Sequence, residues 1–178
     1  TTNFVKGLPH FSVSIAIRVK GRTEVGVVYD PIRNELFTAV RGEGAKLNDL
    51  RLRVENKRDL SGAVLATGFP FKQAKYMPMQ FRMMESLIQE VADFRRTGSA
   101  ALDLCYVAAG RVDGYFEYGI KAWDVAAGDL IVREAGGIVT DYHAGHGYLK
   151  AGHIVAAAPR VLKEMLNKIQ PCLAEDLK

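Results

Sequence analysis

The sequence predicts an α/β protein of the α+β or layered kind, and three observations carry that reading. The first third alternates apolar and polar residues with a period of two. The remainder alternates helical spacing with short apolar runs. The composition, 48% hydrophobic and 25% charged over 178 residues, is that of a globular chain able to bury a core without disulfide or metal staples.

Taken in order, residues 11–20 place Phe11, Val13, Ile15, Ile17 and Val19 on one face, with Ser12, Ser14, Arg18 and Lys20 among the alternate positions. That is the pattern of a half-buried strand with its apolar side on a core. A turn at Gly21-Arg22 and a return strand over 23–29 complete a hairpin, which Asp30-Pro31 ends. A third strand over 35–40 and a turn at Gly42-Glu43-Gly44 extend it into a meander. Phe81, Met84, Leu87, Ile88 and Val91 are spaced for a helix over 77–92. Ala101, Leu104, Cys105 and Ala108 mark another, closed by Gly110. A strand over 112–118 follows, then a helix after Asp124 that stops at Gly136-Gly137. Short strands over 138–142 and 153–157 and a helix over 160–169, opened by Pro159, finish the chain.

Several function classes fall away at this level. Net charge is +4, enough to suit an anionic small molecule and too little to argue for nucleic acid by itself. Cys105 and Cys172 have neither zinc-site nor disulfide spacing, and no secretory leader pattern is present, so a reducing cytoplasm is expected. No apolar run approaches membrane-spanning length. His143 and His146 lie in a Gly-rich loop and read as surface histidines. Arg51, Arg53, Lys57 and Arg58 read as a solvated basic edge, with RNA contact the lesser reading.

Three segments could carry chemistry. Asp124 follows the only tryptophan, Trp123, at a helix start. It reads either as an N-cap or as a rigidly held carboxylate for a hard cation such as Mg²⁺. The small residues Ala126, Ala127 and Gly128 behind it would admit another element at close range. Arg95-Arg96-Thr97-Gly98-Ser99-Ala100 opens a helix with free N–H groups, either a Ser99 cap with solvated arginines or a seat for an anion or a hydroxyl-rich ligand. Glu117 ends a strand seven residues before Asp124, so a short loop could bring both carboxylates to one mouth.

Together these segments resemble the inositol monophosphatase family, and its bacterial branch most closely, over essentially the whole chain. The run from Trp123 to Gly137, W-D-V-A-A-G-D-L-I-V-R-E-A-G-G, is similar to the family's second signature throughout. Thr1-Thr2-Asn3-Phe4 is similar to the end of its first signature, Asp-Pro-hydrophobic-Asp-Gly-Thr-Thr-Asn-Phe. The resemblance implies a layered αβαβα sandwich of the sugar-phosphatase type with its N-terminal layer incomplete here. Residues 1–178 would be the C-terminal part of a single phosphatase domain, with 1–60 the rest of a mainly antiparallel first sheet and 61–178 the second αβ layer. An exposed apolar surface is then expected where further helices would pack.

It also implies roles. Thr1 positions the attacking water and the phosphate. Asp124 binds magnesium and touches a substrate hydroxyl. Gly98, Ser99 and Ala100 line the inositol ring, Glu117 contacts a ring hydroxyl, and Arg95 matches a substrate-contacting arginine. The implied activity is Mg²⁺-dependent hydrolysis of inositol monophosphate by a lithium-sensitive cytoplasmic homodimer. Asp124 is the one implied metal carboxylate in this chain, so the chain alone is expected to lack most of the metal site. Sugar or nucleotide bisphosphates are alternative substrates. A second function class is a binding role with the transcription machinery or RNA.

Overall fold

The computed structural model describes residues 1–177. In chain order the elements are α1 (Thr2–Val5), β1 (Val13–Val19), β2 (Arg22–Asp30), β3 (Glu35–Val40), β4 (Gly44–Leu47), β5 (Leu50–Arg51) and β6 (Val64–Thr67). Then come α2 (Met77–Ile88), β7 (Asp93–Arg95), α3 (Ala100–Ala108), β8 (Gly114–Tyr118) and α4 (Ala122–Glu134). β9 (Ile138–Thr140), α5 (Tyr148–Ala151), β10 (His153–Ala157) and α6 (Pro159–Ile169) complete the fold.

Strands β1 to β5 form an antiparallel meander in sequence order. The β1–β2 turn falls one residue earlier than expected. Val19 pairs with Arg22, and Lys20 and Gly21 both have positive φ, 48° and 81°. That is the geometry that matches the twist of a two-residue hairpin. Asp30 stops β2 because its Oδ1 accepts the amides of Ile32 and Arg33, turning the backbone away from the ladder.

The second sheet is mixed, in the order β7-β6-β8-β10-β9, with β6 parallel to both neighbours and β10 antiparallel to β8 and β9. Helices α3 and α4 lie between the sheets and build one core around Leu104, Tyr115, Leu130 and Ile131. Helices α2 and α6 cover the far face of the second sheet with Met83, Leu87, Val161 and Met165. The layers therefore run β–α–β–α, as a layered α/β sandwich whose outermost sheet face carries no helix among the described residues.

One expectation is corrected. The apolar face of β1 does not meet the core: Val13, Ile15, Ile17 and Val19 are each about half exposed. The opposite side of the sheet packs on α4, where Ala16 and Gly26 lie. A Cβ on Gly26 would sit 2.7 Å from the Ala127 carbonyl oxygen. Only small residues fit between sheet and helix there, so the bulky ones point outward. The small residues of α4 also act on its other flank, where a Cβ on Gly128 would lie 2.7 Å from Leu104 Cβ.

Candidate active site

Two helix starts and one strand end meet at a single cleft of about 320 Å³. Thr1, Gly98, Ser99, Ala100, Glu117 and Asp124 all line it. Arg96, Asn3, His10 and Trp123 join them.

Each group is placed by local structure. Gly98 adopts φ +88°, which turns the backbone out of β7 and into α3. Ser99 caps α3, its hydroxyl accepting the Leu102 amide at 3.5 Å. The N-terminal segment is tied to this turn by Asn3, whose Nδ2 donates to the carbonyls of Thr97 at 2.9 Å and His10 at 2.7 Å. Thr1 is thereby held at the cleft although it is itself exposed.

Glu117 sits on the face of β8 that also bears Tyr115, and the Tyr115 hydroxyl donates to Glu117 Oε2 at 2.7 Å. Gly68, just beyond β6, faces it: a Cβ there would lie 2.1 Å from the Glu117 carboxyl carbon. Burial holds the Glu117 carboxyl above the usual carboxylate range, and the Tyr115 hydroxyl and Arg96 oppose that shift.

Asp124 is not an N-cap. Helix α4 begins two residues earlier, with Lys121 at the cap, so Asp124 stands in the third helical position. Its Oδ2 accepts the Lys121 amide at 3.0 Å. That bond fixes the carboxylate and leaves Oδ1 uncommitted among the described residues. A hard cation with water and phosphate oxygens around it would accept such a single carboxylate arm. Asp124 therefore fits as one ligand of a magnesium ion. Among the described residues no cluster of three or more His, Cys, Asp or Glu side chains could hold a metal.

The structure separates the two arginines. Arg95 closes β7 and is not among the residues that line the cleft; it pairs with the Asp93 carboxylate and donates to the Phe94 carbonyl at 3.1 Å. Arg96 lines the cleft, with its guanidinium 5.7 Å from the Phe71 ring centre. Arg96, the first residue past β7, is the arginine in the cleft wall. Asn3, His10 and Trp123 were also missed as lining residues. His143 and His146 are exposed, and both cysteines are free thiols.

The model for the inositol monophosphatase family matches residues 1–175. The Nus factor SuhB of Pasteurella multocida is 82% identical over the whole chain, which spans 67% of that protein. The crystal structure of the extragenic suppressor protein SuhB from Bartonella henselae superposes with a TM-score of 0.92 at 44% identity, covering 96% of this chain and 65% of that one. The inositol monophosphatase from Anabaena (Nostoc) sp. PCC 7120 gives a TM-score of 0.91 at 37% identity, covering all of this chain and 74% of its own. The chain thus spans about two thirds of the length of the curated relatives it matches. A cleft walled by the second-signature helix and the Gly98 turn, together with these matches, establishes that this chain belongs to the inositol monophosphatase family.

Proposed function

We propose that the protein carrying this chain hydrolyses myo-inositol monophosphate to inositol and phosphate with Mg²⁺ as cofactor. The observation that carries the reading is the convergence of Asp124, Glu117 and the Gly98–Ala100 turn on one cleft fronted by two helix N-termini. Those termini and Arg96 favour an anion, and the two carboxylates accept hydrogen bonds from hydroxyls. A polyol phosphate presents both groups at once.

In this reading Gly98, Ser99 and Ala100 hold the ring, Glu117 orients one ring hydroxyl, and Thr1 orients the phosphate and the attacking water. Asp124 would touch a second hydroxyl and would hold the magnesium ion. When bound, the ion would supply Lewis acidity toward the phosphoryl group and the attacking water. The residues themselves contribute position and charge, since phosphoryl transfer asks little covalent chemistry of a protein. Lithium inhibition, a homodimer and a cytoplasmic location belong to the same reading. They are checked by inhibition kinetics, sedimentation and cell fractionation. Replacing Asp124 by Asn in the whole protein should reduce phosphate release at least a hundredfold. Retention of most activity would sink the assignment.

A second reading rests on the Nus factor relatives at 82% and 74% identity. We propose that the protein also contacts the transcription machinery through its surface. The exposed Arg51, Arg53 and Arg58 are the candidates for an acidic partner or RNA. Charge reversal at those three positions should abolish recovery of transcription proteins at low salt, whereas Asp124→Asn should not. The opposite pattern would remove this reading.

A further inference from the structure

Helix α3 carries a carboxylate that none of the roles above uses. Asp103 is 1% exposed, although nothing in its immediate sequence marks it as other than an ordinary helix position. Its Oδ1 lies 2.7 Å from the Thr97 hydroxyl. The same Thr97 oxygen lies 3.3 Å from the Ser99 amide nitrogen. Donor rules give this chain a direction. The Ser99 N–H can only donate, so it donates to Thr97 Oγ1. The Thr97 hydroxyl is then free to donate onward to Asp103. The result is a relay from a cleft-lining backbone amide to a buried acceptor one turn into the helix.

The exit of the turn is held by helix capping, the Ser99 hydroxyl accepting the Leu102 amide and the Ser99 carbonyl accepting the Asp103 amide at 2.9 Å, and the relay acts on its entry. Thr97 is gripped at its carbonyl by Asn3 and at its hydroxyl by Asp103. Between Thr97 and Ser99 stands Gly98 at φ +88°, a residue with no side chain of its own to lock the backbone. A Cβ there would already lie 3.1 Å from both Arg96 Nη1 and Asn3 Nδ2. The entry to the turn that presents Gly98, Ser99 and Ala100 to the cleft is therefore held at Thr97 by two side chains, Asn3 and Asp103.

We propose that Asp103 is a positioning residue that fixes the ligand-binding turn at Gly98–Ala100 through the Thr97 hydroxyl, and so sets affinity for the polyol ring. This deepens the phosphatase reading and rests on it for the identity of the ligand. The geometry asks only for a hydrogen-bond acceptor at position 103. Asn can supply one and Ala cannot.

The test uses the whole protein with Asp103→Ala, Asp103→Asn and Thr97→Val, the last removing the same link from its other end. Two readouts are taken: exchange of the Ser99 amide with deuterium, and kcat and KM for inositol 1-phosphate. Losing a buried hydrogen bond supports an expectation of about tenfold faster Ser99 exchange and about tenfold higher KM for Asp103→Ala and Thr97→Val. kcat should stay within about twofold and Asp103→Asn should restore both quantities, because the reacting groups are untouched. The inference is overturned if Asp103→Ala and Thr97→Val leave Ser99 exchange and KM at the parent values. It is equally overturned if Asp103→Asn is as impaired as Asp103→Ala. Absence of phosphate release from the parent, with the expected exchange pattern intact, would overturn the phosphatase reading and uphold the role of Asp103 in the turn.

Discussion

Glu117 shows how little freedom a cleft-lining side chain has here. It is held by the Tyr115 hydroxyl on one side and the backbone of Gly68 on another. Gly68→Ala places a methyl 2.1 Å from its carboxyl carbon, so the carboxylate must leave its slot. KM for a polyol phosphate should then rise about tenfold, as expected when one charged hydrogen bond to the ligand is lost, with little change in thermal stability. Asp103 gives a pH prediction. Burial, opposed by the Thr97 hydrogen bond, pushes its carboxyl up from 3.8 to about 7. The folded chain therefore keeps a proton that the unfolded chain releases. Stability falls as pH rises from about 4 to about 7 and levels off above that, with a span of about 4 kcal/mol from this group. Asp103→Asn removes the dependence. Denaturation titrations should show the variant gaining on the parent at pH 8 and matching it near pH 4. A variant that gains nothing at pH 8 would contradict the assignment. The slot that Gly68 leaves for Glu117 and the anchoring of Thr97 by Asn3 and Asp103 were not legible in the sequence, because Gly68 and Asn3 lie far along the chain from the groups they meet. What could be read was Asp124, Glu117 and the Gly98 turn, whose residue types and positions at element ends already narrowed the chemistry.

At the scale of elements, β3, β10 and α6 lie within a residue of where their patterns put them. Each has a strong period and a clear stop, such as the Pro159 that opens α6. The misses have a common cause. Strands β5 and β7 have two and three residues, and β6 has four, too few for alternation to declare itself. The apolar face of β1 was placed on the wrong side because period alone does not say which face a helix approaches. The deciding residue was Gly26, which lets Ala127 come close. Gly26→Val should cost about 2–3 kcal/mol in chemical denaturation, because the clash is with backbone that cannot swing aside. The gain in strand propensity is smaller than that. A neutral effect would mean that sheet and α4 are not packed as described.

Across the whole molecule, both cores are closed to solvent and one sheet face is open. The core around Leu130 is closed by sheet and helices, and so is the one around Met165. The outer face of the first sheet is open: Val13, Ile15, Ile17 and Val19 continue across the sheet to Leu36 and Val40, all at least 39% exposed. A contiguous apolar sheet face of this kind drives association or is covered by other protein. The chain on its own should therefore sediment as concentration-dependent aggregates, and Ile15→Glu with Ile17→Glu should suppress that. Unchanged sedimentation would show that the face is not the cause. The layered class was legible from the order of patterns along the chain. An open apolar face was expected from the resemblance, but its place on the outer side of β1 was not legible, because a strand's own sequence does not record what packs against it.

The most direct test of the central claim is phosphate release from inositol 1-phosphate by the whole protein in Mg²⁺, compared with Asp124→Asn under the same conditions. The account predicts turnover that requires the metal and falls at least a hundredfold in the variant. Equal activity in the two proteins, or none in the parent, would contradict it.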